Sequence, residues 1–196
     1  VGRGALQNSN SDDNTALGYR AMHNATSADD SVAVGTDSLF TATTGNNNVA
    51  VGYHSLRLST TGARNTAIGY NAMASLTTAG DSVAVGYNSN DACQTGANNV
   101  AVGASSLSNN TNSNNTGVGH NCGPSNTTGR YNCFLGDNAG TSVTTGTGNT
   151  HLGFLTTASS GTAFNEIVIG NQGTGNGSNT VTLAAGSTQT FITLGN

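Results

Sequence analysis

Charged residues are scarce in this chain, and long apolar runs are absent. Charges make up 7% of the 196 residues, and the five Lys and Arg side chains are scattered along the sequence. They form no basic patch, so we expect no binding to nucleic acid. No run of roughly eighteen apolar residues and no signal-peptide pattern occurs, so we expect no membrane insertion. Because the first residue is valine, we expect a piece of a longer protein.

The side chains that carry enzyme chemistry are equally sparse. The chain has one Glu, and no spacing of Ser, His and Asp recurs. Four histidines occupy different phases of the repeat described below, so they cannot stack into a metal site. They are His23, His54, His120 and His151. The three cysteines lack paired-ligand spacing and are expected to be buried free thiols, although Cys122 and Cys133 could face each other. The sequence predicts no enzyme activity and no cofactor.

A repeat of seventeen residues runs through almost the whole chain and closes each strand motif with glycine. The motif reads Ala-Val-Gly, Ala-Ile-Gly or Ala-Leu-Gly in the first six copies, and a single step of sixteen residues interrupts the spacing. The glycines form a structural glycine column: Gly18, Gly35, Gly52, Gly69, Gly86, Gly103, Gly119, Gly136, Gly153 and Gly170. So strict a period predicts a solenoid, whose turns gain stability by stacking. We expect an all-β parallel β-solenoid with seventeen-residue turns.

Strand alternation divides the residues before each glycine between two faces. The first and third strand positions carry Thr, Val, Ile or Leu, as in Val32 and Val34, and this face is predicted to be the interior. The alanines between them form an alanine column, predicted to face outward and pack on neighbouring chains: Ala16, Ala33, Ala50, Ala67, Ala84 and Ala101. A second interior column is predicted four positions after the glycine: Met22, Leu39, Leu56, Met73 and Leu107. So thin a core favours oligomerisation.

Two polar columns accompany the strands. One precedes each strand and can bond the backbone of the next turn: Asn14, Ser31, Asn48, Asn65, Ser82, Asn99, Asn115, Asn132 and Asn149. The other holds threonine, usually before glycine: Thr44, Thr61, Thr78, Thr95, Thr111, Thr128 and Thr145. Both are interpreted as turn-stabilising ladders.

Two groups of side chains are candidates for ligand binding. Tyrosines follow the column glycine at Tyr19, Tyr53, Tyr70 and Tyr87, where an exposed stripe would suit a glycan or a protein, or where each ring could only cover its neighbour. Acidic pairs lie one period apart at Asp12, Asp13, Asp29 and Asp30. These carboxylates could hold calcium, although exposed turns with water screening explain them better.

The repeated phrases Ser31-Val32-Ala33-Val34-Gly35 and Asn48-Val49-Ala50-Val51-Gly52 resemble the β-roll head of trimeric autotransporter adhesins and the repeats of phage tail fibres. The resemblance covers residues 14–170. It implies a left-handed β-roll and a homotrimer of three rolls packed side by side through small residues. The closing stretch, with Asn179-Thr180-Val181-Thr182-Leu183, resembles the segment that ends phage fibre repeats.

The predicted organisation has three parts: an N-terminal segment at 1–13, a β-roll at 14–170 and a C-terminal β transition segment at 171–196. The favoured function is a structural segment of a homotrimeric phage tail fibre on the virion surface, which presents a receptor-binding tip for host attachment. The alternative is an extracellular adhesin head on a bacterial surface that binds host matrix or glycan. An ice-binding solenoid ranks last, because Thr43-Thr44 and Thr60-Thr61 are adjacent and point oppositely.

Overall fold

The chain forms a β-solenoid, as the period predicts. The computed structural model describes residues 2–186 and 188–193, and among these there are twelve strands and no helix. The strands are β1 (Thr15–Leu17), β2 (Val32–Val34), β3 (Val49–Val51), β4 (Thr66–Ile68), β5 (Val83–Val85), β6 (Val100–Val102), β7 (Thr116–Val118), β8 (Cys133–Leu135), β9 (Thr150–Leu152), β10 (Ile167–Asn171), β11 (Thr180–Ala185) and β12 (Thr188–Thr193). The prediction of an all-β solenoid is confirmed. The hand of the roll and the trimer stay predictions.

The strands form a single sheet in sequence order. Strands β1 to β11 pair in parallel, and β12 returns antiparallel to β11. The register places equivalent repeat positions opposite each other, so that Ala33 pairs with Ala50 and Val34 with Val51. Each column of the sequence is therefore a column in space, with a step of about 4.8 Å per turn.

The stacking extends beyond the predicted limits of 14 and 170. Before β1, the N–H groups of Leu6 and Asn8 donate to the carbonyls of Ala21 and His23, 3.1 and 3.0 Å away. After β10, β11 adds one more parallel strand and β12 ends the parallel order. The segments at 1–13 and 171–196 thus contribute turns of their own, although Val1, Ser187 and Leu194–Asn196 lie outside the described residues.

The orientation of the strands is the reverse of the predicted one. Ala33, Ala50, Ala67, Ala84 and Ala101 are fully buried within the chain, and Ala16 is half-buried. The first and third strand positions lie on the outer surface instead. The predicted interior column from Met22 to Leu107 is fully buried, opposite the alanines. The coil is narrow, so alanine rather than a β-branched residue fits opposite the Met and Leu column, because interiors are packed to near-crystal density.

The interior column uses Met and Leu because of its backbone conformation. Met22, Leu39, Leu56, Met73 and Leu107 all have φ between 48° and 50°, in the left-handed region. Valine and isoleucine are costly there, whereas an unbranched Cβ is tolerated better. Two further positions per turn also have positive φ, and none of the described non-glycine residues with positive φ is Val, Ile or Thr.

At Gly123 and Gly140 the interior column lapses beside a larger side chain that replaces the strand alanine. Phe134 takes the alanine position in β8 and is fully buried. Gly123 and Gly140 stand at the facing positions, and a Cβ added to either would collide with the Phe134 ring. The ring fills the volume that leucine fills in other turns. The lapse in the pattern is therefore a compensated exchange of large for small side chains.

Candidate functional site

The glycine column allows successive turns to stack at this distance. Gly52 and Gly69 both have φ of 135°, and a Cβ at Gly69 would collide with the backbone carbonyl of Gly86 on the next turn. Only glycine adopts this conformation without strain and leaves room for the neighbouring backbone. Gly2 occupies the same environment below Gly18, so the column is one turn longer than the sequence pattern indicated.

The polar column before each strand forms a continuous hydrogen-bonded ladder, which we call the asparagine ladder. Each side-chain oxygen from Asn14 to Asn149 accepts from the backbone N–H of the equivalent residue one turn later, as in Ser82 N–H to Asn65 Oδ1 at 3.1 Å. The Asn65 amide also donates to the carbonyl of Ala79 at 3.0 Å. The last acceptor binds the N–H of Glu166, whose carboxylate in turn accepts from Ser159 and Gly177. The ladder thus satisfies buried backbone groups from turn to turn.

We predict that Asn65→Ala destabilises the fold by about 1–3 kcal/mol, because it leaves the buried N–H of Ser82 without an acceptor. The matched control is Asn65→Ser. Serine occupies the equivalent ladder positions at Ser31 and Ser82 and still accepts the N–H of the next turn. Urea unfolding followed by circular dichroism measures both. Equal losses for the alanine and serine variants would show that the ladder bond is not the stabilising contact.

The tyrosines form a stacked aromatic column, the tyrosine ladder, at Tyr53, Tyr70 and Tyr87. The ring centroids lie 5.0 and 5.4 Å apart, with interplanar angles of 13° and 18°. This spacing is close to the step of about 4.8 Å between turns. The rings are 42–54% exposed, yet their faces cover each other and mainly edges and hydroxyls meet solvent. Sugar rings stack on aromatic faces, so most of the ladder is unsuited to glycan stacking.

Tyr19 belongs to the same position but is separated from the tyrosine ladder by Thr36. The Arg20 guanidinium carbon lies 4.9 Å from the Tyr19 ring centroid, and Arg20 binds Asp37 through two hydrogen bonds of 2.8 and 2.6 Å. The His54 ring stacks on Tyr53 at 3.7 Å, and its Nε2 lies 3.5 Å from Asp37. Burial, then nearby Arg57, lowers the pKa of His54. This cluster closes the lower end of the ladder.

The outward strand positions form a two-column apolar surface, the outer strip, which sequence reasoning assigned to the interior. The third strand position is aliphatic in all eleven parallel strands, and the first position is Thr, Val, Ile or Cys in β1 to β10. Leu17, Ile68, Leu135, Leu152 and Leu183 are 39–51% exposed. No charged residue interrupts the strip. Side-chain volume was the signal in the sequence that could have indicated the buried face. A column made only of alanine, opposite Met and Leu, fits a narrow interior.

The remaining candidate side chains are not brought together into a site. The carboxylate of Asp29 accepts the backbone N–H of Asp12 at 2.9 Å. Among residues 2–186 and 188–193, no three His, Cys, Asp or Glu side chains are grouped as metal ligands, and the calcium hypothesis stays untested.

Cys93 and Cys122 are buried, and burial raises the pKa of both thiols. Cys133 is free and exposed on the outer strip, so its predicted interior position was wrong.

Comparisons with protein-family models, curated proteins and solved structures give no match. Within the described part of the chain, there is no helix long and apolar enough to cross a membrane.

Proposed function

We propose that this chain is a structural segment of a homotrimeric viral tail fibre, a shaft that spaces or presents a receptor-binding tip outside the cell. The observation that carries the proposal is the outer strip. It runs along all eleven parallel strands, roughly 50 Å at the usual strand spacing. A monomer rarely exposes so long a continuous apolar surface, and one of this size marks an interaction site.

A second and third copy of the chain are the partners that the strip fits best. Its third strand position is aliphatic in every strand from β1 to β11, so a strip packed on its copy meets an apolar side chain at every level. The absence of charge on the strip removes the cost of burying unpaired ions. The thin core adds a reason for association, since buried alanine contributes little hydrophobic stabilisation per turn. The number three rests on the resemblance to trimeric fibre and adhesin repeats.

We expect light scattering of the full chain to give about three times the 19.4 kDa chain mass. Ile68→Lys places a charge in the middle of the strip and should reduce the mass to that of one chain, because a buried unpaired ammonium is costly. The matched control is Leu58→Lys. Leu58 and Ile68 are both 39% exposed, but Leu58 lies outside the outer strip. The Leu58 variant should keep the oligomeric mass.

Maleimide labelling of Cys133 gives a second readout of the same interface. The thiol lies on the strip, so it should react slowly in the assembled protein and rapidly in the Ile68→Lys variant. Buried Cys93 and Cys122 should react only after unfolding. A wild-type chain that stays monomeric and labels rapidly at Cys133 would refute the trimer.

The alternative of an adhesin head on a bacterial surface shares the fold and the trimer, and it differs in requiring a ligand site on the roll itself. The ice-binding alternative stays untested, since Thr44, Thr61 and Thr78 of the predicted threonine column are exposed. The hydroxyls of Thr43, Thr60 and Thr77 each donate to a backbone carbonyl of the next turn. These three threonines belong to the column beside the predicted one, and they act as structural hydrogen-bond donors.

A further inference from the structure

The tyrosine ladder ends at a gap that is one ring wide. The positions directly after the glycine column read Tyr87, Ala104 and His120 in three successive turns. Tyr87 is 54% exposed and the His120 side chain is 65% exposed, while half-buried Ala104 contributes only a methyl group. Two steps of the solenoid separate the rings by about 10 Å, which leaves room for one ring stacked between them. We call this gap the Ala104 slot.

A comparable interruption at Thr36 is already filled by the chain itself. There, Arg20 covers Tyr19 and His54 stacks on Tyr53, and both side chains come from the position next to the ladder. At the Ala104 slot the neighbouring positions carry short side chains, Asn88, Ser105 and Asn121. The Asn121 amide donates to Asn138 on the next turn at 2.7 Å. Among the described residues, no ring or guanidinium covers the face of Tyr87 that points towards Ala104.

The polar groups beside the slot determine which ring it suits. Asn88 has a side-chain oxygen that is buried without a hydrogen-bond partner, and Ser105 follows Ala104 directly. His120 Nδ1 lies 2.8 Å from a carboxylate oxygen of Asp137. The slot thus combines one free aromatic face and the His120 ring with the Ser105 hydroxyl and the Asn121 side chain, whereas Asp137 lies one turn beyond His120, on the side away from Ala104. No Lys or Arg occupies these positions, which disfavours an anionic ligand.

We propose that the Ala104 slot binds a neutral pyranose ring of a glycan. The C–H face of a pyranose carries partial positive charge and packs on the negative face of Tyr87, while its ring hydroxyls meet the Ser105 hydroxyl and the Asn121 side chain. The inference goes beyond the proposed shaft function, because it places a ligand on the wall of the roll. In an assembly of identical chains the slot recurs once per chain, so a branched glycan gains from multivalency.

The test is an NMR titration of the full chain with methyl β-glucopyranoside, methyl α-mannopyranoside and the methyl glycoside of N-acetylglucosamine. At least one should produce saturable shifts at the Ala104 methyl group and the His120 ring, with a dissociation constant in the millimolar range. Ala104→Tyr fills the slot and continues the ladder, so it should weaken binding at least about tenfold. Thr36→Tyr is the matched control and should bind like the wild type.

The outcomes separate the slot from the shaft function. Light scattering of the same samples reports assembly independently of sugar binding, and both variants should keep the wild-type mass. No saturable shift with any glycoside, or equal binding by Ala104→Tyr, would overturn the slot. Saturable binding of p-cresol without binding of any glycoside would overturn the sugar assignment in favour of an aromatic ligand.

Discussion

Phe134→Ala is expected to destabilise the fold by about 3–5 kcal/mol, the usual cost of removing a buried aromatic ring. The ring is fully buried, and both facing positions are glycine, so no neighbouring side chain can move in to fill the cavity. The loss should appear as a lower urea midpoint in unfolding followed by circular dichroism. Phe154→Ala is the matched control. Phe154 is 43% exposed at the position after the glycine column, and surface changes usually cost less than about 0.5 kcal/mol.

A double variant tests whether Phe134 compensates for the missing leucine. Phe134→Ala with Gly140→Leu recreates the alanine and leucine pairing of other turns. Leucine is acceptable at this position because Gly140 has φ of 69° and Leu39 and Leu56 adopt similar backbone conformations. The double variant should recover much of the stability lost by the single one, whereas Gly140→Leu alone should clash with the ring. If the double variant is no more stable than Phe134→Ala, the compensation does not exist.

The sequence was sufficient for the period, the strand positions and the stacking of like residues. Seventeen-residue spacing placed Ala33 opposite Ala50, and the asparagine ladder followed from short polar side chains before each strand. These features depend on local conformation and period alone. Tyr53, Tyr70 and Tyr87 stack as expected for the same reason.

The sequence did not reveal which strand face is inside. Alternation shows that Val32 and Val34 share a face, but it does not show whether that face is the interior or the exterior. The β-branched face was assigned to the core by its hydrophobicity, whereas the structure buries the alanines against Met and Leu. The packing volume inside the coil decides which strand face is buried. That volume depends on the width of the coil, which the seventeen-residue period does not give. Because of this error, Cys133 was predicted to lie in the interior, and the burial of His151 was not predicted.

Acid should destabilise this protein through His151. The imidazole is fully buried at an alanine-column position between Phe134 and Val168, and neither ring nitrogen has a hydrogen-bond partner. Burial lowers the pKa of His151 from 6.5 to about 4. Between these values the unfolded chain binds a proton that the folded chain does not, so stability falls as pH decreases from 6.5 to 4. The loss amounts to about 3 kcal/mol at 1.36 kcal/mol per pKa unit, and it levels off below pH 4.

The measurement compares urea midpoints at fixed chain concentration from pH 7.5 to pH 4 for the wild type and His151→Val. Valine occupies the same column at Val168, so the variant should fold and lose most of the pH dependence in this window. Asp91, whose pKa is raised by burial, opposes the effect, but it is present in both proteins and cancels in the comparison. His54→Asn, which copies Asn71 and Asn88 in the next turns, should keep most of the wild-type acid sensitivity. An equal decline in wild type and His151→Val would assign the acid sensitivity to other groups.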